Sequence, residues 1–538
     1  MKKIGLIAVL SVMVCSAWAV PARRGEIVKT QPDGTQIVVY QHGDEHFHWM
    51  TNEKGEWLKM DVDGFYRVTE ALSAEQIEAK RMAAPSRAAQ VATPLNIAPR
   101  GLVILVNFQD VAFETDKAEM DSMLTGKNYT RDYSYFYRGK KQSITSKGSA
   151  WQYFYDSSNG HYDPQFDVIG PVTVSKNMAY YGKNVNDFDA APWTMVKEAC
   201  QLVDDSVDFK QYDNNNDGYV DFVYVIYAGY GEADGGDKNT IWPHSYWLLE
   251  AGITCKLDGK YVDLYACGNE MDSRTNYHTG IGTFCHEFSH VLGLLDLYET
   301  TGYGTYKTIG AWSILDYGPY NNDGNTPPAY SAYEQFFMGW LMPRLIVDAE
   351  NVELEELQAS NSALLISSSD QHNLIGNDPK PTTFYLLENR QQVGWDEYLP
   401  GHGLMLTKVQ YDYNKWINNT VNNSSNRMGV DLIEADGKKP SSSSNGYTGK
   451  AGDLFPAGAT EYLGITNHSI EDVSEQDGII YFKYRGGIAT STEQVQTEET
   501  IVAIYNILGQ KQAAVDIESL PHGTYVVVTT AGSKKIVR

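Results

Sequence analysis

The sequence predicts a mixed α/β (α+β) central domain, with a β-rich segment before it and a β-sandwich and small all-β tail after it. Three observations carry this expectation. Residues 101–108 form an unbroken apolar run and residues 219–227 a second, β-branched and aromatic one; both read as buried strands. Helical spacing follows near residues 117–124 and 149–155, and again over 193–207, where the apolar stripe could back the sheet. Beyond residue 345 that periodicity fades. Short runs at 363–366, 383–387, 403–409 and 479–484 alternate with turn residues, as in an antiparallel sandwich.

The chain has 538 residues, which sets a prior of three or four units. The expected boundaries are 1–19, a signal peptide; 20–99, a propeptide; 100–345, the catalytic domain; 346–485, the sandwich; 486–500, a linker; and 501–538, the tail. Lys2 and Lys3 open the first segment, residues 4–14 are its apolar core, and Ala17-Trp18-Ala19 is a small-x-small cleavage site. The apolar run is too short to anchor in a bilayer, and no other stretch is long and apolar enough to span one. The formal charge of -25 argues against nucleic acid and suits an exported protein with oxygen-rich cation sites.

Residues 20–99 hold two turn signals, at 31–35 and 52–56, then helical sequence at 73–84. An Ala/Ser/Pro-rich connector follows, with Arg81, Arg87 and Arg100 open to trypsin-like cutting. A small β unit on a cleavable connector is a natural propeptide, the alternative being a stable accessory domain. It has no cysteine to place on a metal; Asp44, Glu45, His46 or His48 could approach one instead.

The most informative stretch is residues 283–296. It reads His286-Glu287-x-x-His290-x-x-Gly293-x-x-Asp296. On a helix His286 and His290 lie on one face, one turn apart, and can grip one zinc ion, with Glu287 acting on a metal-activated water. Were the helix to continue, Asp296 would lie about 15 Å along the axis from His286. Gly293 allows the chain to turn back, so that Asp296 can supply the third ligand. The plainer alternative is an amphipathic core helix with two satisfied histidines; with 12 His in the chain, the full spacing is improbable by accident.

Downstream, Ser313-Ile314-Leu315-Asp316-Tyr317 has the form Ser-x-Met-x-Tyr with Leu315 at the Met position. It resembles the tight turn that lies under the metal in astacin-like and serralysin-like enzymes, and the resemblance implies a hydrophobic floor, a role Leu could fill by packing. It favours Asp296 as third ligand over the distant Glu334. Tyr317 would face the zinc and hydrogen-bond the oxyanion, or else be a buried aromatic in an ordinary turn. Upstream, Asp213, Asn215, Asp217, Tyr219 and Asp221, with Gly218, match the first part of a calcium loop, although Tyr224 stands where an EF-hand has Glu. The alternative is a solvated Asp/Asn turn. Of the cysteines beyond the signal peptide (Cys200, Cys255, Cys267, Cys285), Cys255 and Cys267 flank a hairpin turn and suit either a disulfide or buried thiols.

With these motifs the chain resembles the secreted metallopeptidases of the immune inhibitor A type. The matching stretches are residues 101–110, Val168-Ile169-Gly170-Pro171-Val172, Asp217-Gly218-Tyr219-Val220-Asp221, Ala228-Gly229-Tyr230-Gly231, Ile241-Trp242-Pro243-His244, the His-Glu helix and Tyr330-Ser331-Ala332-Tyr333-Glu334. The resemblance implies a metzincin-like, zincin-type catalytic domain, zinc on His286, His290 and Asp296, Glu287 as general base, and protein or peptide substrates. Residues 501–538 resemble the C-terminal sorting domains of the type-nine secretion route, which implies a secretion-machinery partner and a secreted or surface location in a Gram-negative bacterium. Residues 418–426 and 440–446 are Asn/Ser-rich and read as exposed loops. The competing function is a catalytically weakened surface binding protein that uses the sandwich; its support is Leu315.

Overall fold

The computed structural model describes residues 20–44, 47–73, 75–77, 100–185, 188–300, 308–439 and 449–487, and in the tail residues 501–506, 512, 524–529 and 532–537. The chain through Gly487 forms one unit and Ile488–Arg538 a second.

Five strands open the first unit: β1 (Ile27–Thr30), β2 (Gln36–Asp44), β3 (Phe47–Thr51), β4 (Trp57–Met60) and β5 (Tyr66–Val68). They pair antiparallel in sequence order. Both expected turns are present, closed by Gln31 N–H to Thr35 O at 2.7 Å and Asn52 N–H to Glu56 O at 3.0 Å. Of the expected helix at 73–84, Ser73 and residues 75–77 are described, and 75–77 are helical; Arg81 and Arg87 lie outside the described residues. Arg100 is not in a free connector. It opens β6 (Arg100–Asn107), paired with Gln165, and its guanidinium bonds Asp167 at 2.5 Å.

The two apolar runs lie side by side in a five-stranded sheet. Its members are β6, β7 (Gln165–Thr173), β8 (Val223–Tyr230), β9 (His244–Trp247) and β10 (Leu264–Met271), in the order β9-β10-β8-β6-β7. All pairs are parallel except the edge pair β9–β10. A parallel sheet needs cover on both faces, and alternate residues of β6 supply it. Leu102, Ile104 and Val106 enter the core backed by Met195, Val196, Ala199 and Val203 of α3 (Pro192–Val203). Val103 and Leu105 enter a second core with α1 (Lys117–Thr125), α2 (Ala150–Ser157) and α4 (Gly282–Val291), the His-Glu helix. Phe288 of α4 meets Phe154, Phe166 and Phe222 edge-on, with ring centroids 4.9, 5.1 and 4.9 Å away. Each such pair adds about 0.5–1.5 kcal/mol beyond its buried area, which seats α4 on the sheet.

The four cysteines among the described residues are buried thiols. The expected hairpin is present at Cys255–Leu257 and Lys260–Val262, but Cys255 faces Val262 across it. Cys267 sits on β10 beside His244, its sulfur 3.5 Å from Nδ1, so the disulfide alternative for these two is not formed.

Beyond the central domain, residues 344–484 form two sheets, antiparallel except for one short parallel pair at 344–345. One is β11 (Arg344–Leu345), β13 (Leu364–Ser367), β14 (Thr383–Arg390), β15 (Gly403–Gln410) and β16 (Val430–Leu432), in that order. The other is β12 (Glu350–Leu354), β18 (Ile479–Tyr484) and β17 (Ile470–Gln476). Period-two alternation gives the larger sheet two jobs. Leu364, Ile366, Leu387, Leu404 and Leu406 face the inside of the sandwich with Val352, Ile480 and Phe482. Leu365, Phe384, Leu386 and Met405 join the same core as α4. The sheet is thus also a wall of the central domain. A fully buried guanidinium joins the two. Arg390 of β14 donates to both oxygens of Asp396 at 2.6 Å, to Glu388 at 3.1 Å, and to the carbonyls of Ala329 and Trp312 at 3.3 and 3.4 Å.

In the second unit β19 (Ile501–Asn506), β20 (Thr524–Thr529) and β21 (Gly532–Val537) form a three-stranded antiparallel sheet. Among the described residues no helix is long and apolar enough to cross a membrane.

Candidate active site

Helix α4 ends where its glycine requires it to. Gly293 has φ 98°, a left-handed conformation that costs glycine little. Its N–H bonds His290 O at 2.9 Å, and Leu294 N–H bonds Ser289 O at 3.0 Å, which closes the last turn and reverses the chain. Asp296 therefore comes back over the helix. Its Oδ1 lies 3.3 Å from His286 Nε2 and 3.2 Å from His290 Nε2, and the two imidazole nitrogens are 3.1 Å apart. All three side chains are buried.

The protonation pattern decides what this cluster is for. His286 Nδ1 is 2.7 Å from Ile314 O and His290 Nδ1 is 2.9 Å from Leu294 O. A carbonyl only accepts, so each Nδ1 carries the hydrogen and each Nε2 turns its lone pair inward. Burial also lowers the pKa of His286, with the carboxylate of Asp296 opposing, and so favours the neutral ring. Two lone pairs and a carboxylate oxygen then converge with no proton to share. A divalent cation resolves that conflict, and a set of two imidazoles and a carboxylate suits zinc. Among the described residues this is the one group of three or more His, Cys, Asp or Glu side chains able to hold a metal.

The Ser313–Tyr317 turn lies beside the cluster, where Ile314 O meets His286 Nδ1. Leu315 is fully buried, its N–H bonds Ser313 Oγ at 3.0 Å, and its carbonyl accepts from Leu297 N–H at 2.7 Å. Ile314 of the same turn orients His286. Glu334 is a support: it caps α5 (Ala332–Met338) and accepts from Ser313 Oγ at 2.5 Å. The turn thus fixes one imidazole and the metal loop through its backbone, and the Leu side chain only has to pack.

One set of partners escaped the sequence reading. Of residues 418–426 only Ser425 and Asn426 are exposed, and Asn419 and Asn422 are buried; residues 440–446 lie outside the described residues. Asn419 donates to Asp296 Oδ2 at 2.6 Å and accepts from Asp296 N–H at 2.9 Å. Asn422 donates to Leu297 O at 2.7 Å, and Asn423 accepts from Thr300 N–H at 2.8 Å. These side chains hold the metal loop in register, and Asn419 fixes which oxygen Asp296 presents. Partners of this kind are worth about 10–100-fold in metal affinity. Asn419→Ala is accordingly expected to weaken zinc binding by about that factor, read by competition with a chromophoric chelator. The signal was a polar run whose amides match a loop's backbone groups, and composition alone cannot tell such a run from a solvated one.

The other expected site residues divide. Glu287 is buried beside the cluster, and its Oε1 accepts a bond from Val20 N–H at 2.9 Å. Tyr317 lies under Arg24, whose guanidinium is 3.6 Å from the ring centroid, and burial raises its phenol pKa. His48 and Asp44 have the following partners. His48 pairs with Glu232 at 3.0 Å and stacks on Trp242, while Asp44 Oδ1 accepts from Phe47 N–H; Glu45 and His46 lie outside the described residues. The five residues of the expected calcium loop lie in one turn-and-strand stretch, but the carboxylates of Asp213, Asp217 and Asp221 do not converge as a metal-sized group. There Asp213 accepts from Asp217 and Gly218 N–H and from the Lys260 ammonium at 2.5 Å, and Asp221 from Asn214.

Residues 96–342 match the model of the immune inhibitor A peptidase M6 catalytic domain. The chain carries an immune inhibitor A-type peptidase domain. Its relatives include the pre-pro-metalloprotease PrtV of Vibrio cholerae serotype O1, 26% identical over 293 residues, which cover 48% of this chain and 31% of that protein. Another is immune inhibitor A of Bacillus thuringiensis subsp. alesti, 27% identical over 268 residues, 44% of this chain and 39% of that protein. The chain thus matches about a third of the length of these relatives. All three residues of the cluster, and Glu287, fall inside the immune inhibitor A domain.

Proposed function

We propose that the protein is a secreted zinc-dependent endopeptidase. The observation that carries this is the buried convergence of His286 Nε2, His290 Nε2 and Asp296 Oδ1, each fixed from behind by backbone or amide groups, with Glu287 on the same helix. Zinc, when bound, polarises the scissile carbonyl and makes water a competent nucleophile near neutral pH. The chain's own groups do the rest. Glu287 takes the proton of the attacking water at its carboxylate and passes it to the leaving amine. Tyr317 donates to the oxyanion once Arg24 has left its ring. Residues 20–99 act as a propeptide, residues 1–19 direct export, and the tail engages secretion machinery.

The test uses the full chain, activated by trypsin and given casein with and without a chelator. One zinc per chain is expected, with cleavage lost on chelation and restored by added zinc. Cleavage that persists in a metal-free chain would remove the reading.

A further inference from the structure

Two of the four buried thiols meet. Cys200 lies on the buried side of α3 with Val196, Ala199 and Val203, and Cys255 lies in the hairpin of residues 255–262. Both belong to the core on the α3 side of the sheet. The Cys200 thiol donates a hydrogen bond to the Cys255 sulfur. The hairpin is docked there by a second bond, from Phe209 N–H, just beyond α3, to Asp258 Oδ2 at 2.9 Å. Lys197 and Asp204, one within α3 and one at its end, are close enough for their charges to act on Cys255. The other two thiols are placed differently. Cys267 is in the middle of β10 against His244, and Cys285 lies on α4 in the core on the opposite face of the sheet.

The pair is uneven in access and in chemistry. Thr254, Lys256, Asp258 and Gly259 around Cys255 are exposed, so Cys255 reaches solvent whenever its short hairpin lifts, whereas Cys200 is fixed in a helix. The hydrogen bond from Cys200 holds the Cys255 thiol below its ordinary pKa, with burial opposing and the Lys197 ammonium adding to the fall. The same bond, together with burial, pushes the Cys200 thiol well up. Cys255 is therefore the thiol that becomes a nucleophile first.

We propose that Cys200 and Cys255 are a disulfide site, closed when the exported chain meets a disulfide-bearing oxidant, and that the link staples the 255–262 hairpin to α3. The Cys255 thiolate, its proton lost to water, attacks one sulfur of the oxidant, an oxidoreductase disulfide or oxidised glutathione, and releases one thiolate. Cys200 then loses its proton, attacks the Cys255 sulfur of the mixed disulfide and releases the second. Two protein thiols are oxidised, one disulfide is reduced, and two protons end on the two released thiolates. The link closes a loop of 55 positions, which restricts the unfolded chain. It also fastens what the hairpin carries: Tyr261 and Val262 pair with Tyr219 and Val220, and Lys260 bonds Asp213 at 2.5 Å. The pairing is independent of the peptidase reading and draws on export only for its oxidant.

The experiment incubates the purified full chain with oxidised glutathione in urea below the unfolding transition, so that the hairpin opens. The chain is then alkylated in denaturant and digested for mass spectrometry. A peptide pair joined through Cys200 and Cys255 is expected, two hydrogens lighter than the reduced pair, with Cys267 and Cys285 alkylated in the same sample. Reduction is expected to lower the thermal midpoint of the linked chain by at least about 3 °C and to leave the midpoints of Cys200→Ser and Cys255→Ser unchanged. Alkylation of all four cysteines after oxidation overturns the proposal, as does a link from Cys255 to Cys267, whether or not the serine variants fold. Where the link forms in glutathione but the chain recovered from its own cells carries both thiols free, the export reading falls and the pairing stands.

Discussion

Glu287→Gln is expected to slow peptide hydrolysis by about 10²–10⁴-fold, the usual worth of a positioned general acid–base group. The substitution keeps the shape and removes the ability to hold a proton in transit. His286, His290 and Asp296 are untouched, so zinc content is expected to stay at one per chain and the fold to stay intact. That combination separates loss of proton transfer from loss of the metal. The measurement is kcat on a defined peptide after activation, alongside metal analysis and circular dichroism. Cleavage at the parent rate by a zinc-loaded, folded variant would falsify the role given to Glu287. His290→Ala serves as a contrast, since it is expected to lose metal and activity together.

Arg390→Met is expected to destabilise the first unit by about 3–5 kcal/mol, because removal of one partner leaves buried charge uncompensated. Arg390 and Asp396 are both fully buried, and Glu388 beside them is held up to about 7 by burial, with Arg390 opposing that rise. Removing the guanidinium also strips the carbonyls of Ala329 and Trp312 of a donor. The loss is read from urea unfolding of the full chain. A triple variant that also replaces Glu388 and Asp396 with Leu is expected to recover much of it, since buried ion clusters are often replaceable by apolar groups. A single variant as stable as the parent would show that the cluster is not a fastener between the sheet and the central domain.

The parts of this protein legible in its sequence are those whose logic is local. The His-Glu helix, its glycine stop and the return of Asp296 rest on periodicity and on one residue's backbone freedom, all within 11 positions. Strand β6 and the strands of the sandwich were readable because burial on both faces, or on alternate residues, writes itself into hydropathy. The residues missed act at long range. Asn419 reads as a loop amide until the fold brings it to Asp296. Val20–Arg24 reads as the ragged start of a propeptide until Val20 is found on Glu287. The Asn-rich run was misread for a physical reason: amides that satisfy a neighbouring loop have the composition of amides that satisfy water. The relatives come from both Vibrio and Bacillus, so the expected Gram-negative envelope rests on the tail resemblance alone.

The Asn419–Asp296 pair joins residues 123 positions apart. Contacts of that separation form late, because the intervening chain must close first. A chain emerging from the ribosome displays all three expected zinc ligands well before it displays the amide that aims the third. Competence arises only after β14, β15 and β16 have paired and brought the 419–423 stretch back over the metal loop. The order of chain assembly therefore leaves the amide that aims Asp296 as the last part of the cluster to be placed.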